Sequence, residues 1–158
     1  MRHAVYPGTF DPITLGHLDI VARACAVFDK VTVAVLVNPR KQPSMDVDTR
    51  LAVIEESLAA LPGAAQVDVM SFGGLTVDLA HRLGAGSIVR GLRAISDFES
   101  ELQMAQLNRR LAPDVDTVFF MTGIEHAYVS STMVREIAAL GGDVSSMVPP
   151  GVLRYLRP

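Results

Sequence analysis

A chain of 158 residues that is 49% hydrophobic and 20% charged has the size and composition of one globular domain, which argues against a disordered protein. Its formal net charge of −3 gives no overall attraction to nucleic acids or anionic membranes, so we expect neither as a partner. A single cysteine, Cys25, excludes an internal disulfide framework and any metal site that needs several cysteines. The N-terminus lacks a signal-like apolar region and no run of 18 apolar residues occurs, so we expect a cytoplasmic location.

Short runs rich in β-branched residues alternate with segments of helical spacing along the whole chain. The predicted strands are 4–6, 31–37, 66–70, 87–89 and 117–121. The first predicted helix begins near Gly16, the second covers 47–61, and the third stops at Gly84. The fourth opens with a capping box at Ser96 and ends before Pro113. The fifth follows Ser130, and a short helical tail is predicted at 153–156.

The second predicted strand, 31–37, is apolar almost throughout, which is typical of a parallel strand that is buried on both faces. We therefore predict an α/β fold: a Rossmann-like, doubly wound, five-stranded parallel sheet with helices on both faces, forming one domain over 1–158. In such sheets ligands bind at the carboxyl ends of the strands, near the point where the strand order reverses.

The residues that follow the first strand are suited to binding a phosphate. The chain has no GxxxxGK[ST] or GxGxxG sequence, so another device must hold any phosphates. Thr14, Leu15, Gly16 and His17 lie where the first helix begins, and helix N-termini attract anions. An imidazole there can donate a hydrogen bond or a positive charge to phosphate oxygens, although a lone histidine is more often part of a cap.

Phosphate-binding side chains also follow three other strands. Lys41 follows the second strand, Arg90 and Arg93 follow the fourth, and Ser130, Ser131 and Thr132 follow the fifth. Each alone could be a solvated charge or an ordinary cap, but together they place cations and hydroxyls at one sheet edge. A triphosphate and a second phosphate could be neutralised at this edge.

Three segments carry a resemblance to a known family. They are Tyr6-Pro7-Gly8-Thr9-Phe10-Asp11-Pro12 running into Thr14-Leu15-Gly16-His17, Arg90-Gly91-Leu92-Arg93 followed by Asp97-Phe98-Glu99, and Val129-Ser130-Ser131-Thr132. The first resembles the [HT]-x-G-H nucleotidyltransferase superfamily, and the other two select its bacterial phosphopantetheine adenylyltransferase branch. The chain departs from that branch at Ser100, where tyrosine is common, and at Thr132, where a third serine is common.

The resemblance implies transfer of AMP from ATP to 4′-phosphopantetheine, giving dephospho-CoA and pyrophosphate, by direct in-line attack without a covalent intermediate. It implies catalytic roles for His17, Lys41 and Arg93, and acceptor binding by Thr9, Lys41, Thr76 and Arg90. The ATP site that it implies comprises Thr9, Phe10, His17, Gly91, Leu92, Arg93, Glu101, His126, Ala127, Tyr128, Val129, Ser130, Ser131 and Thr132.

The resemblance also implies magnesium that accompanies ATP, with no metal ligand from the protein, a homohexamer, and feedback inhibition by CoA. Two alternatives stay open. One is another [HT]-x-G-H nucleotidyltransferase with a different phosphorylated acceptor, such as nicotinamide mononucleotide or a glycerol or choline phosphate. The other is a non-catalytic regulator that binds ATP, because a fold alone does not establish a function.

Overall fold

Five parallel strands form one sheet in the order β3-β2-β1-β4-β5 in the computed structural model, which describes residues 1–156 apart from the side chains of Ile95 and Ser96. The strands are β1 (His3–Gly8), β2 (Lys30–Leu36), β3 (Val67–Phe72), β4 (Ser87–Leu92) and β5 (Asp116–Met121). Every pairing between neighbours is parallel, with Tyr6 opposite Val33 and Ile88 opposite Thr117. The predicted parallel sheet is confirmed.

The helices between the strands agree in number with the sequence prediction. They are α1 (Leu15–Cys25), α2 (Val47–Leu58), α3 (Thr76–Leu83), α4 (Ile95–Leu111) and α5 (Ser131–Ala139), with three short 3₁₀ helices at Ala64–Gln66, Ile124–His126 and Pro150–Tyr155. Among the described residues, no helix combines the length and the apolar character that crossing a membrane requires.

Alternation along the buried strands divides the core between the two faces of the sheet. Val31, Val33 and Val35 pack in one cluster with residues of α1, α2 and α5, whereas Ala34 packs in a second cluster with residues of α3. Because both faces are covered, β2 is apolar on both sides, as its continuous hydrophobic run predicts. The arrangement is the predicted doubly wound α/β fold with helices on both faces.

The start of α4 differs from the prediction. The helix begins at Ile95 with Ala94 in the N-cap position, and no side chain caps its first turn. Ser96 therefore lies inside the first turn rather than before it, and its side chain lies outside the described part of the chain. The capping-box prediction at Ser96 is wrong, because the last extended residue before the helix is Ala94, with φ −145° and ψ 165°, two residues earlier.

The strand order places β1 between β2 and β4, and the direction of winding reverses there. The connections from β1 to β2 and from β2 to β3 lead toward one edge of the sheet, whereas the connection from β4 to β5 leads toward the other edge. Loops leaving the carboxyl ends of β1 and β4 therefore diverge and leave a crevice between them. The loop after β1 carries Thr9 to Thr14, and the loop after β4 carries Arg93.

Two glycines that follow the C-terminus of α3 offer a test of its geometry. Gly84 adopts φ +65° in the cap position, whereas Gly86 has no positive φ, and neither has an atom near enough to contact an added Cβ. Gly84→Ala should lower the free energy of unfolding by about 1–2 kcal/mol, the cost of a left-handed residue with a Cβ. Gly86→Ala should change it by less than about 0.5 kcal/mol. Equal effects of the two substitutions in denaturant unfolding would contradict this account.

Candidate active site

A polar cleft of about 290 Å³ opens at the carboxyl ends of β1 and β4, beside the first turn of α1. Its lining includes most of the residues that the sequence singled out for binding ATP: Thr9, Phe10, His17, Gly91, Arg93, Glu101, Val129, Ser130, Ser131 and Thr132, together with Arg90. The structure thus brings the ends of three strands and the starts of two helices to one cavity, which we call the nucleotide cleft.

A second cavity of about 410 Å³ adjoins the nucleotide cleft on the side of β2 and β3. Lys41 and Thr76 line it, along with Met104 and Asn108 of α4. Thr9, Arg90 and Glu101 line both cavities, so the two share one wall. We call the second cavity the acceptor cleft, after the acceptor-binding role predicted for Lys41 and Thr76, and the shared wall the junction.

His17 and Thr14 hold each other at the start of α1 through reciprocal hydrogen bonds. The backbone N–H of Thr14 donates to Nδ1 of His17 at 3.0 Å, and the backbone N–H of His17 donates to Oγ1 of Thr14 at 3.3 Å. This is a capping box in which histidine replaces the usual Glu or Gln. Because Nδ1 accepts a hydrogen bond from the Thr14 N–H, the neutral ring carries its hydrogen on Nε2.

The His17 ring is neutral as well as fixed. Burial, together with the positive charges of Arg93 and Arg90, lowers the pKa of His17 to about 4. The ring of Phe10 packs edge-on against it at 5.1 Å between centroids. Phe10 itself is buried and takes φ +48°, an uncommon conformation that directs the chain from β1 around the cleft. His17 therefore provides a neutral Nε2–H donor at a helix N-terminus.

Arg90 lies within β4 rather than after it, and Arg93 lies in the loop that follows; both arginines are already paired within the protein. Arg90 donates from Nε and Nη2 to the two oxygens of Glu101, at 2.8 and 2.5 Å, and from Nη1 to the carbonyl of Pro7 at 2.8 Å. Arg93 donates to Asp97 at 3.2 Å and to the carbonyl of Val129 at 3.0 Å. These contacts hold both guanidinium groups at the cleft wall in fixed orientations.

The start of α5 supplies hydroxyls, but they are not equally available. Ser130 caps the helix, with Oγ accepting from the N–H of Met133 at 3.2 Å, so its own proton is left for another acceptor. Ser131 donates its proton to the carbonyl of Pro12 at 2.8 Å, which ties α5 to the β1 loop. Thr132 lines the cleft one residue further along.

Four of the residues predicted for the ATP site do not line either cleft. Leu92 lies at the end of β4, and Tyr128 is 61% exposed outside the cavity. Ala127 follows the short 3₁₀ helix, and His126 packs beside Gly16, with its Cβ 3.6 Å from where a glycine Cβ would stand. Of residues 126–132, only Val129 to Thr132 line the cavity.

Sequence reasoning missed several residues that shape the site. Tyr6, Asp97 and Thr122 line the nucleotide cleft, and none was predicted to do so. Asp97 had a local signal, since an Asp four residues after Arg93 on a helix start can pair with it. Tyr6 and Thr122 had none, because Tyr6 lies within β1 and Thr122 directly follows β5, so their position at the cleft depends on the whole sheet.

Comparison with known proteins places the chain in a family. The sequence model described as cytidylyltransferase-like matches residues 5–137. A nicotinic acid mononucleotide adenylyltransferase of Plasmodium falciparum, solved in complex with NaAD, superposes with a TM-score of 0.76 at 12% identity. The superposition covers 98% of this chain and 94% of the Plasmodium falciparum chain, which shows a shared fold.

Curated relatives are much more similar in sequence. The phosphopantetheine adenylyltransferase of Synechococcus elongatus is 55% identical over 98% of this chain and 91% of its own length. The Heliobacterium modesticaldum phosphopantetheine adenylyltransferase is 52% identical over 97% of this chain and 89% of its own length. The chain therefore belongs to the phosphopantetheine adenylyltransferase family, within the cytidylyltransferase-like proteins.

The low pKa of His17 can be tested by titration. His17 should stay neutral, with its hydrogen on Nε2, from pH 8 down to pH 5, since its folded pKa is about 4. In the unfolded chain His17 takes up a proton near its ordinary pKa of about 6.5. Between pH about 6.5 and about 4 the unfolded state therefore binds more protons than the folded state, so the free energy of unfolding decreases as pH falls through this range. Nitrogen-15 NMR of the imidazole measures both the pKa of His17 in the folded protein and which ring nitrogen carries the hydrogen. A His17 titration midpoint near 6.5 in the folded protein would contradict the structure.

Proposed function

We propose that the protein transfers the adenylyl group of ATP to 4′-phosphopantetheine, giving dephospho-CoA and pyrophosphate, a step of coenzyme A biosynthesis. The observation that carries the proposal is the junction, where a cleft with phosphate-binding groups meets a second cleft at Thr9 and Arg90. Family membership at 52–55% identity over nearly the whole chain supports the choice of acceptor.

The reaction requires the protein mainly to orient the two substrates and to neutralise their negative charges. The acceptor phosphate is already an anion, so it attacks the α-phosphorus of ATP without a general base, and pyrophosphate leaves on the opposite side. The main barrier is the repulsion between two groups of anions. Thr9, Lys41 and Arg90, at and beside the junction, would orient and neutralise the acceptor phosphate.

His17 would act on the phosphate that is attacked. Its Nε2–H and the N-terminus of α1 lie at the nucleotide cleft, where they stabilise the charge that develops on the α-phosphate oxygens. A neutral donor does this without moving a proton. Bound phosphates favour the protonated ring and act against the effect of Arg93 and Arg90 on its pKa.

The leaving pyrophosphate would lie toward α5. The helix N-terminus, the free proton of Ser130 and the hydroxyl of Thr132 face the same cavity as Arg93. Each of these groups favours negative charge, and none needs to change its protonation state. The proposed ATP site thus has His17 on one side of the transferred phosphorus and α5 on the other.

The ionisable groups of the cleft are arranged for binding rather than for proton transfer. Burial raises the pKa of the Tyr6 hydroxyl above its ordinary value. The two carboxylates that line the cleft, Glu101 and Asp97, are each paired with an arginine. This donor set suits a magnesium ion that arrives with ATP and is held by phosphate oxygens and water, where it shields their charge. We assign no protein ligand to it.

We further propose that the enzyme is a cytoplasmic homohexamer that CoA inhibits by occupying both clefts. The support for self-association is α4, five of whose apolar side chains are each between 41% and 59% exposed: Phe98, Leu102, Met104, Leu107 and Leu111. So much exposed apolar surface on one helix is typical of a helix that meets a protein surface. The free, half-buried Cys25 agrees with a reducing compartment.

The acceptor can be tested by pyrophosphate release from ATP and magnesium with a panel of phosphorylated compounds. We expect release with 4′-phosphopantetheine and none with nicotinamide mononucleotide or glycerol 3-phosphate, because Thr76, Met104 and Asn108 lengthen the acceptor cleft beyond the phosphate site. Release with a rival compound alone would keep the reaction and overturn the acceptor. ATP binding without release from any compound would instead favour a regulator.

A further inference from the structure

Asp11 forms a connection between two loops that the reaction proposed above does not explain. Its side chain is 4% exposed, and its two oxygens accept hydrogen bonds from consecutive backbone amides of another loop. Oδ2 accepts from the N–H of Ser44 at 2.8 Å, and Oδ1 accepts from the N–H of Met45 at 2.9 Å. A buried carboxylate is costly unless both oxygens are satisfied, and these two amides satisfy them.

The loop that Asp11 binds is the one that carries Lys41. Residues 38–46, which we call the Lys41 segment, join β2 to α2. At the start of the segment the hydrogen bonds are local, from the amides of Arg40 and Lys41 to Asn38. At its end Arg50 donates to the carbonyl of Asp46 at 3.4 Å. Between these points, the described hydrogen bonds from the segment to the β1 loop are the two that Asp11 accepts. Just beyond the segment, Arg50 of α2 donates to the carbonyl of Thr9 at 2.8 Å.

The backbone around Asp11 is in turn bound to α5. Arg135 donates to the carbonyl of Asp11, and its guanidinium lies 3.9 Å from Oδ2 of the same residue. Ser131 donates to the carbonyl of Pro12 at 2.8 Å. Asp11 therefore lies between the helix that faces the nucleotide cleft and the segment whose lysine lines the acceptor cleft.

We propose that Asp11 is a positioning residue, which holds the Lys41 segment so that Lys41 lies at the acceptor cleft. The proposal rests on the acceptor role of Lys41 given above. A lysine side chain is long and flexible, so its average position depends on where its own backbone is held. Asp11 belongs to the β1 loop and fixes the position of that backbone through its two hydrogen bonds. The same loop supplies Thr9 to the junction.

Asparagine at position 11 would be a selective change. It has almost the shape of Asp but presents one oxygen and one NH₂ group, and an NH₂ group cannot accept from an amide N–H. One of the two hydrogen bonds to the Lys41 segment is lost, and two donors then face each other. The segment should become free to leave the acceptor cleft while the rest of the fold stays intact.

Asp46→Asn is a matched control. Asp46 belongs to the Lys41 segment, and it accepts from the N–H of Thr49 at 2.7 Å as the N-cap of α2. The control removes the same charge from the same region but leaves the bonds to Ser44 and Met45 in place. Asparagine caps helices about as well as aspartate.

The experiment measures steady-state kinetics with 4′-phosphopantetheine and ATP binding by calorimetry, for Asp11→Asn, Lys41→Ala, their combination and Asp46→Asn. We expect Asp11→Asn to lower kcat/KM for the acceptor by about tenfold, or about 1.4 kcal/mol, with ATP affinity unchanged. Asp46→Asn should behave as the wild type. In the Lys41→Ala background Asp11→Asn should have no further effect, because the two residues act as one unit.

An equal loss from Asp11→Asn with and without Lys41 would overturn the proposal, because it would show an effect that does not pass through the lysine. Normal acceptor use by Lys41→Ala is a distinguishable failure, since it would remove the acceptor role of Lys41 itself and the proposal with it. If Asp11→Asn does not fold, amide hydrogen exchange of the wild type still decides. Slow exchange at Ser44 and Met45 is expected, and exchange as fast as in an unstructured peptide would contradict the connection.

Discussion

The reciprocal hydrogen bonds between Thr14 and His17 join the start of a helix to the chemistry of the cleft. A single pair of residues ends the β1 loop, begins α1, and sets which imidazole nitrogen carries the hydrogen. Glu or Gln would cap the helix in the same way but would not offer a ring N–H at the cleft. Burial, and then the positive charges of Arg93 and Arg90, lower the pKa of the ring and keep it neutral, with Phe10 packed edge-on against it. Because α1 begins where the sheet reverses its winding, this donor lies where ligands of such folds bind.

The positive charges of the site are organised before any substrate is present. Arg90 pairs with Glu101 and Arg93 pairs with Asp97, so neither guanidinium has to be ordered at the moment of binding. Ion pairs also reduce the net charge at the junction, which limits repulsion between the arginines in the free protein. An incoming phosphate then binds guanidinium groups that ion pairs already hold in place, rather than isolated cations. Lys41 differs, because it comes from a loop whose contacts with the rest of the protein include the two bonds to Asp11.

Much of the fold could be predicted from local patterns, whereas the details of the site could not. The apolar run of β2 and the spacing of α1 to α5 depend on short-range periodicity, so strand type, helix number and layer order follow from the sequence. The N-terminus of α4 was misplaced because a Ser-x-x-Glu pattern does not show which residue is the last extended one before the helix, here Ala94. His126 and Tyr128 were predicted to bind ATP from their position in a motif, which could not show that only Val129 and later residues of 126–132 line the cavity. The contacts of Asp11 join residues 33 and 34 positions apart, a distance that no local pattern covers.

The central claim is that the cleft transfers the adenylyl group directly, by orientation and charge, without a covalent intermediate on the protein. The stereochemical course at the α-phosphorus tests it most directly, using ATP made chiral there by a sulfur substituent and an oxygen isotope. A single in-line displacement predicts inversion of configuration in dephospho-CoA. Retention would indicate two displacements, and therefore a nucleophile on the protein, which would contradict the roles given to His17 and the residues of the junction.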